Sequence, residues 1–209
     1  MIENRDDRLG MLVDRYPAKS SKFIFVQPSQ TLASLAQDYK NAADRLAVTF
    51  QGNSIDDSLL KPFLFLYRHA FELQLKSMTV AWKFTSAKMY GRQIPSPSGV
   101  EKALRKSGHR LIDLFSKIDQ SYKTVLPEGP ALLKASLEVI DLLNRLDFEG
   151  TRFRYPQSDE SIHETNDLAG WSMDFISLHE DFQVGFDDLT AYDDYYSNAI
   201  EMLDERDEV

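Results

Sequence analysis

The stretch Pro62-Phe-Leu-Phe-Leu-Tyr-Arg-His-Ala-Phe-Glu-Leu-Gln-Leu-Lys-Ser-Met78 decides the fold. Wound as a helix, it is apolar around most of its circumference and carries one polar stripe. Lys61, Arg68, Glu72, Lys76, Thr79 and Lys83 recur at intervals of three, four or seven, which sets them on one side, with His69 at the edge. A helix that is apolar on nearly every face belongs at the centre of a bundle. Its charges must then find partners, either as internal struts or as the floor of a groove.

Working outward, Ser29 reads as the N-cap of a first helix, whose apolar stripe is Leu32, Leu35, Tyr39, Ala42, Ala43 and Leu46. Gly52-Asn-Ser breaks it, and the central helix runs from about Asp57 or Ser58 to Phe84, with Pro62 near its start. The composition of Gly91 to Gly99 predicts a loop, and a helix from about Gly108 carries Leu111, Ile112, Leu114, Phe115 and Ile118. Pro127 to Pro130 opens the next helix, Ala131 to Phe148, which Gly150 closes. Arg152-Phe-Arg-Tyr-Pro156 alternates as an extended segment would, Gln157 to Asn166 reads as loop, and Trp171 to Gly185 as a short hairpin or irregular cover. A last helix spans about Asp187 to Arg206. The expected fold is mainly α, with a short irregular or β-containing segment near 151–185. It forms one domain, built of an N-terminal extension (1–28), a helical core (29–156) and an acidic cover with the last helix (157–209).

At 209 residues the chain can bury a sizeable core. No apolar run reaches the ~20 residues that cross a bilayer. The acidic, basic and polar start Met-Ile-Glu-Asn-Arg-Asp-Asp-Arg leads into no apolar signal region. There is no cysteine, which excludes disulfides and thiolate sites. A cytoplasmic protein without contact to membrane is the expectation. The net charge of −9 is unevenly spread. Lys76 to Lys117 holds nine Lys/Arg against Glu101 and Asp113, a net +7, while Asp159 to Val209 holds sixteen acids against Arg206, a net −15. That asymmetry fits an anion-binding surface beside an acidic, partner-facing one, and equally a solvated face on each side.

Three constellations carry candidate chemistry. Arg68 and His69 pair a guanidinium, which binds phosphate as a fork, with an imidazole that moves protons near neutral pH; the alternative is an ion-pair ladder Arg68–Glu72–Lys76. His109 follows Lys102, Arg105 and Lys106 and precedes Arg110 at a helix start, a setting that favours anions. Arg152, Arg154 and Tyr155 set cations beside aromatics, as in base stacking with phosphate capture, or else present Phe153 and Tyr155 as core cover. No metal-ligand spacing occurs among the four histidines, and no phosphate-loop, dinucleotide or serine-elbow motif is present, so neither metal nor cofactor is expected.

Tyr67-Arg-His-Ala-Phe-Glu-Leu-Gln-Leu-Lys76 followed by Gly108-His-Arg-Leu-Ile-Asp-Leu114 resembles the core of HEPN-like helical bundles, over about residues 29–156. In that superfamily a helix reading His-Ala-x-Glu-Leu-x-Leu-Lys precedes one introduced by Gly-His-x-Leu. The resemblance implies an up-and-down bundle, a prokaryotic toxin–antitoxin or antiviral setting and a homodimer. It also implies RNA, a nucleotide, or a protein partner such as an antitoxin as the binding partner. Many members are metal-independent ribonucleases whose signature is Arg followed, after four to six residues, by His. This chain lacks it: three residues separate Arg105 from His109, and eight separate Arg154 from His163. The expectation is therefore a non-catalytic or divergent binding protein. The rivals are an endoribonuclease assembled across helices from Arg68, His69, His109 or Arg154, and a purely structural dimerisation module.

Overall fold

The computed structural model describes residues 30–148, 150, 153 and 172–206. The chain divides into two units, Met1–Gln30 and Thr31–Val209, and Gln30 is the one described residue of the first. The expected N-terminal extension, the Ser29 cap, Arg152, Arg154, Tyr155 and the 157–171 segment lie outside the described residues.

The described part of the second unit is helical: α1 (Leu32–Ala47), α2 (Leu60–Met89), α3 (Pro97–Ser107), α4 (Leu111–Val125), α5 (Lys134–Leu146) and α6 (Phe175–Arg206), with a 3-10 turn at Ser54–Leu59. No strand occurs among the described residues, and none of their helices is long and apolar enough to cross a membrane. α2 is the axle. It packs against all five other helices, and Phe63, Leu64, Tyr67, Ala70, Phe71, Leu75 and Met78 are fully buried along it. Each large side chain so buried contributes roughly 1.5–3 kcal/mol.

α1 starts two residues later than a Ser29 cap implies. The Thr31 hydroxyl accepts from the Ser34 amide at 3.0 Å, and Ser34 Oγ accepts from the Thr31 amide at 2.9 Å, a reciprocal box that satisfies two end groups. Buried Ala36, Ala43 and Ala47 let α1 lie close on α2. The contact is fastened by Asp44, which accepts from the Tyr67 hydroxyl, lies 2.8 Å from His179 Nε2 and pairs with Lys40 at 3.2 Å.

Two parts of the expected layout are corrected. Residues 97–107 form α3, cutting short the loop expected over Gly91 to Gly99 and adding a helix before the one expected from about Gly108, because Ser96 accepts from the Gly99 amide and Pro97 occupies the first turn. α3 has no buried residue; it touches α2 only weakly, and Val100, Ala103 and Leu104 are its half-buried apolar residues. The expected hairpin or irregular cover within 175–185 is instead the first third of α6. Asp174 starts that helix by accepting from the amides of Ile176 and Ser177, both at 3.1 Å. Phe182 then stacks on Phe63 at 5.6 Å, and Phe186 meets Phe71 edge-on at 5.4 Å.

Gly185, where the expected cover segment ended, is a close-approach residue. A Cβ there would lie 3.1 Å from Val139 Cγ2 and 3.5 Å from the Ser136 backbone, so its absence lets α5 and α6 touch. Asp188, one turn on, accepts from the Leu133 amide at 3.1 Å and from the Ser136 hydroxyl, and so caps α5 from a neighbouring helix. α5 consequently opens at Lys134, three residues later than expected. Gly185→Leu should cost about 1–3 kcal/mol through overpacking. Urea denaturation checks this, and a stability equal to wild type would mean that α5 and α6 are not held at this spacing.

Candidate functional site

The polar stripe of α2 turns inward. Arg68 and Glu72 are 3% and 4% exposed, and the i, i+4 spacing joins Arg68 Nη1 to Glu72 Oε2 at 2.8 Å and Lys76 Nζ to Glu72 Oε1 at 2.7 Å. The ladder expected from the sequence thus forms, and tertiary partners complete it. Arg68 Nη2 donates to the carbonyl of His109 at 2.7 Å, just before α4. Arg68 Nε donates to the carbonyl of Asp147 at 2.9 Å, at the end of α5, and lies 3.4 Å from that residue's carboxylate. One guanidinium therefore pins α4 and α5 to α2. Its charge, with that of Lys76, is balanced by Glu72 and Asp147, which is the condition for keeping charges out of water.

Gly150 completes the arrangement. It sits at φ +74°, in the left-handed region, and its amide donates to the Asp147 carbonyl at 3.3 Å. A Cβ at this position would come within 2.8 Å of Arg68 Nη1. Glycine is required twice over, once by the turn and once by the guanidinium lying against it.

Around this cluster is a small cleft of about 50 Å³, lined by Phe65, Arg68, His69, Glu72, His109 and Gly150. That space suits a few waters or one small polar group rather than a whole nucleotide. His109 Nδ1 lies 2.7 Å from Glu72 Oε1, and the His109 side chain is half exposed. Burial pushes the Glu72 carboxyl up, but the hydrogen bond and charge of Lys76, followed by those of His109, outweigh it and hold the group below the usual carboxylate range. An ionised Glu72 can only accept, so His109 Nδ1 donates to it and the ring is held in a fixed orientation. His69 is oriented from two sides, edge-on to Tyr39 at 4.4 Å and parallel to Phe65 at 5.9 Å. Chemically, the cleft offers a carboxylate-oriented imidazole beside a second imidazole.

The structure therefore brings Arg68, His69 and His109 together, while Arg154 lies outside the described residues. Lys102, Arg105, Lys106 and Arg110 are exposed and do not line the cleft. Arg105 pairs with Glu101 at 2.6 Å, and the Arg110 guanidinium sits 4.0 Å over the Phe148 ring. His109 lies ahead of α4, which is capped at Arg110, and not within its first turn. Sequence reasoning placed Glu72 in the ladder but not in the site, and it missed Phe65, Asp147 and Gly150. Only the Arg68–Glu72 spacing could have signalled any of these. Among the described residues, no group of three His, Asp or Glu side chains is arranged to hold a metal ion.

A half-buried acid of α6 meets α2 farther along. Asp193 accepts from Gln74 Nε2 at 3.0 Å and from the Tyr122 hydroxyl at 2.8 Å, which ties α6 to α2 and α4. Burial pushes its carboxyl up despite these bonds. In comparisons with protein-family models, with curated proteins and with solved structures, nothing matches this chain.

Removing Glu72 strands Arg68 and Lys76, so Glu72→Ala should destabilise the protein by about 3–5 kcal/mol, against under about 1 kcal/mol for a solvated pair. Because the folded-state titration of Glu72 lies below its ordinary value, its stabilisation is complete above the ordinary carboxylate range. It is lost as pH falls through the folded value. Denaturant titrations across acid pH should show a shallower acid loss for Glu72→Gln than for wild type; parallel curves would contradict the assignment. Gly150→Ala, strained at positive φ and pressed on Arg68, should cost about 1–3 kcal/mol in the same assay.

Proposed function

We propose that this chain is a divergent, non-catalytic HEPN-like bundle, an up-and-down homodimer of the bacterial cytoplasm that binds RNA in a stress or defence setting. The observation that carries the non-catalytic reading is the commitment of Arg68. All three of its nitrogens donate to internal oxygens, and two carboxylates neutralise its charge, so it is a strut and not a phosphate fork. The absence of the Arg–His spacing from the sequence agrees. RNA is preferred over nucleotide or protein ligands because Lys102, Lys106 and their basic neighbours stand exposed on α3 and at the start of α4. The cleft itself is too small for a nucleotide.

A second reading, a metal-independent endoribonuclease, draws on the Glu72–His109 dyad with His69 across the cleft. Two imidazoles can divide the general-base and general-acid roles at a 2′-hydroxyl and its leaving oxygen. Among the described residues that line the cleft, the one Lys/Arg cation is Arg68, which is committed to internal oxygens.

A mixed-sequence RNA pool in excess EDTA separates the two. The expected result is retention at low salt with no cleavage by wild type, His69→Ala or His109→Ala. Cleavage by wild type that disappears in either variant would replace the binding reading with the nuclease. Failure to retain RNA would remove RNA as the ligand. Charge reversal at Lys102, Arg105 and Lys106 together should weaken low-salt RNA binding roughly tenfold or more, because phosphate contacts are read out as counterion release. Unchanged affinity would place the RNA elsewhere.

A further inference from the structure

The resemblance to HEPN-like bundles stops short of α6, whose outer face carries a distinctive pattern. Between Phe175 and Glu205 there is no Lys or Arg. Glu180, Asp187, Asp194 and Glu201 recur at strict seven-residue intervals, and all four are exposed. Beside them runs a seam of exposed residues spaced seven, four and seven apart: Val184, Ala191, Tyr195 and Met202. Val184, Tyr195 and Met202 are 54%, 47% and 63% exposed. These four fall on a four-and-three register whose intervening positions, 188 and 198, hold Asp and Asn, and an acidic residue flanks the seam once per heptad. At 1.5 Å per residue the seam is about 27 Å long, enough for roughly five turns of a partner. The opposite face of α6 is already spent on the core through Phe182, Phe186, Leu189, Tyr192, Tyr196 and Ile200.

We propose that this seam docks an amphipathic, Lys/Arg-rich helix of a different protein. The sign of the flanking charges selects the occupant. A nucleic acid or an anionic lipid surface would be repelled by a row of carboxylates. A symmetric pairing of two copies through the same face would set that row of carboxylates against itself, which like-charge repulsion disfavours. An apolar stripe bordered by cations meets both requirements, since it covers Val184, Tyr195 and Met202 and pairs with the heptad acids. Asp187 has one weak internal tie, to Lys40 at 3.6 Å, and its carboxylate stays mostly exposed.

The test uses the full chain and a fluorescein-labelled synthetic peptide of leucine and lysine, with leucine at the helical seam positions. A second peptide of the same composition has the order scrambled so that no apolar face forms. Fluorescence anisotropy should give saturable binding of the first peptide, roughly tenfold or more tighter than the scramble. Val184→Lys with Tyr195→Lys, and separately Glu180→Lys with Asp194→Lys and Glu201→Lys, should each weaken it by a similar factor. All five side chains are exposed, and circular dichroism checks that both variants remain folded. Equal affinity for the two peptides, or no effect of either variant, overturns the proposal. Sedimentation of the unliganded chain is the second measurement. Self-association that the Val184 and Tyr195 changes abolish would show the seam to be a contact between copies, which also overturns it.

Discussion

Arg68 is buried with a full positive charge, and much of the architecture follows from how that charge is accommodated. Its five N–H groups and its charge must be satisfied away from water, and α2 alone can supply only Glu72. The remaining acceptors have to arrive from elsewhere, and they do so as two backbone carbonyls from the ends of other elements. A carbonyl can be offered only by backbone in a particular place, so the guanidinium fixes positions and not merely charges. The segment entering α4 and the segment leaving α5 are both held to within hydrogen-bonding distance of one side chain. Lysine could supply the charge but not the planar fork that reaches three directions.

The rest of the core distributes the same strategy. Asp44, Glu72 and Asp193 are carboxylates set at different levels of the bundle, and each gathers donors from at least two segments of the chain. Tyr67 and His179 converge on the first, His109 and Lys76 on the second, Gln74 and Tyr122 on the third. Aromatic packing gives the helices cohesion, whereas these polar ties give them register. Burying them satisfied costs little net stability, and leaving any one half-satisfied costs several kcal/mol.

What could be read from the sequence divides along the line between local and tertiary causes. The central helix, its buried character and the Arg68–Glu72–Lys76 ladder follow from spacing alone, because partners four residues apart on a helix meet whatever surrounds them. α3 was legible in principle: Ser96 and Pro97 form a helix-start signal, but Pro95 and Gly99 on either side made the stretch look like loop. The beginning of α6 was obscured by Gly185, whose role is to admit Val139 and cannot be inferred without α5 in place. In the cleft, Asp147 and Gly150 contribute through a carbonyl and a missing Cβ. Neither leaves a mark in a list of side chains.

The anchoring of α6 bears on the charge asymmetry of the chain. Its inner face supplies Phe182 and Phe186 to the rings of Phe63, Tyr67 and Phe71, and so the carboxylates on its outer face are attached to the deepest part of the core. The negative pole of the molecule is thus not an appendage that could be clipped away to leave a neutral domain. Proteolysis within α6 would uncover the aromatic centre in the same event that removed the acids. Electrostatic identity and folding integrity are carried by the two sides of a single helix, and neither can be lost while the other is kept.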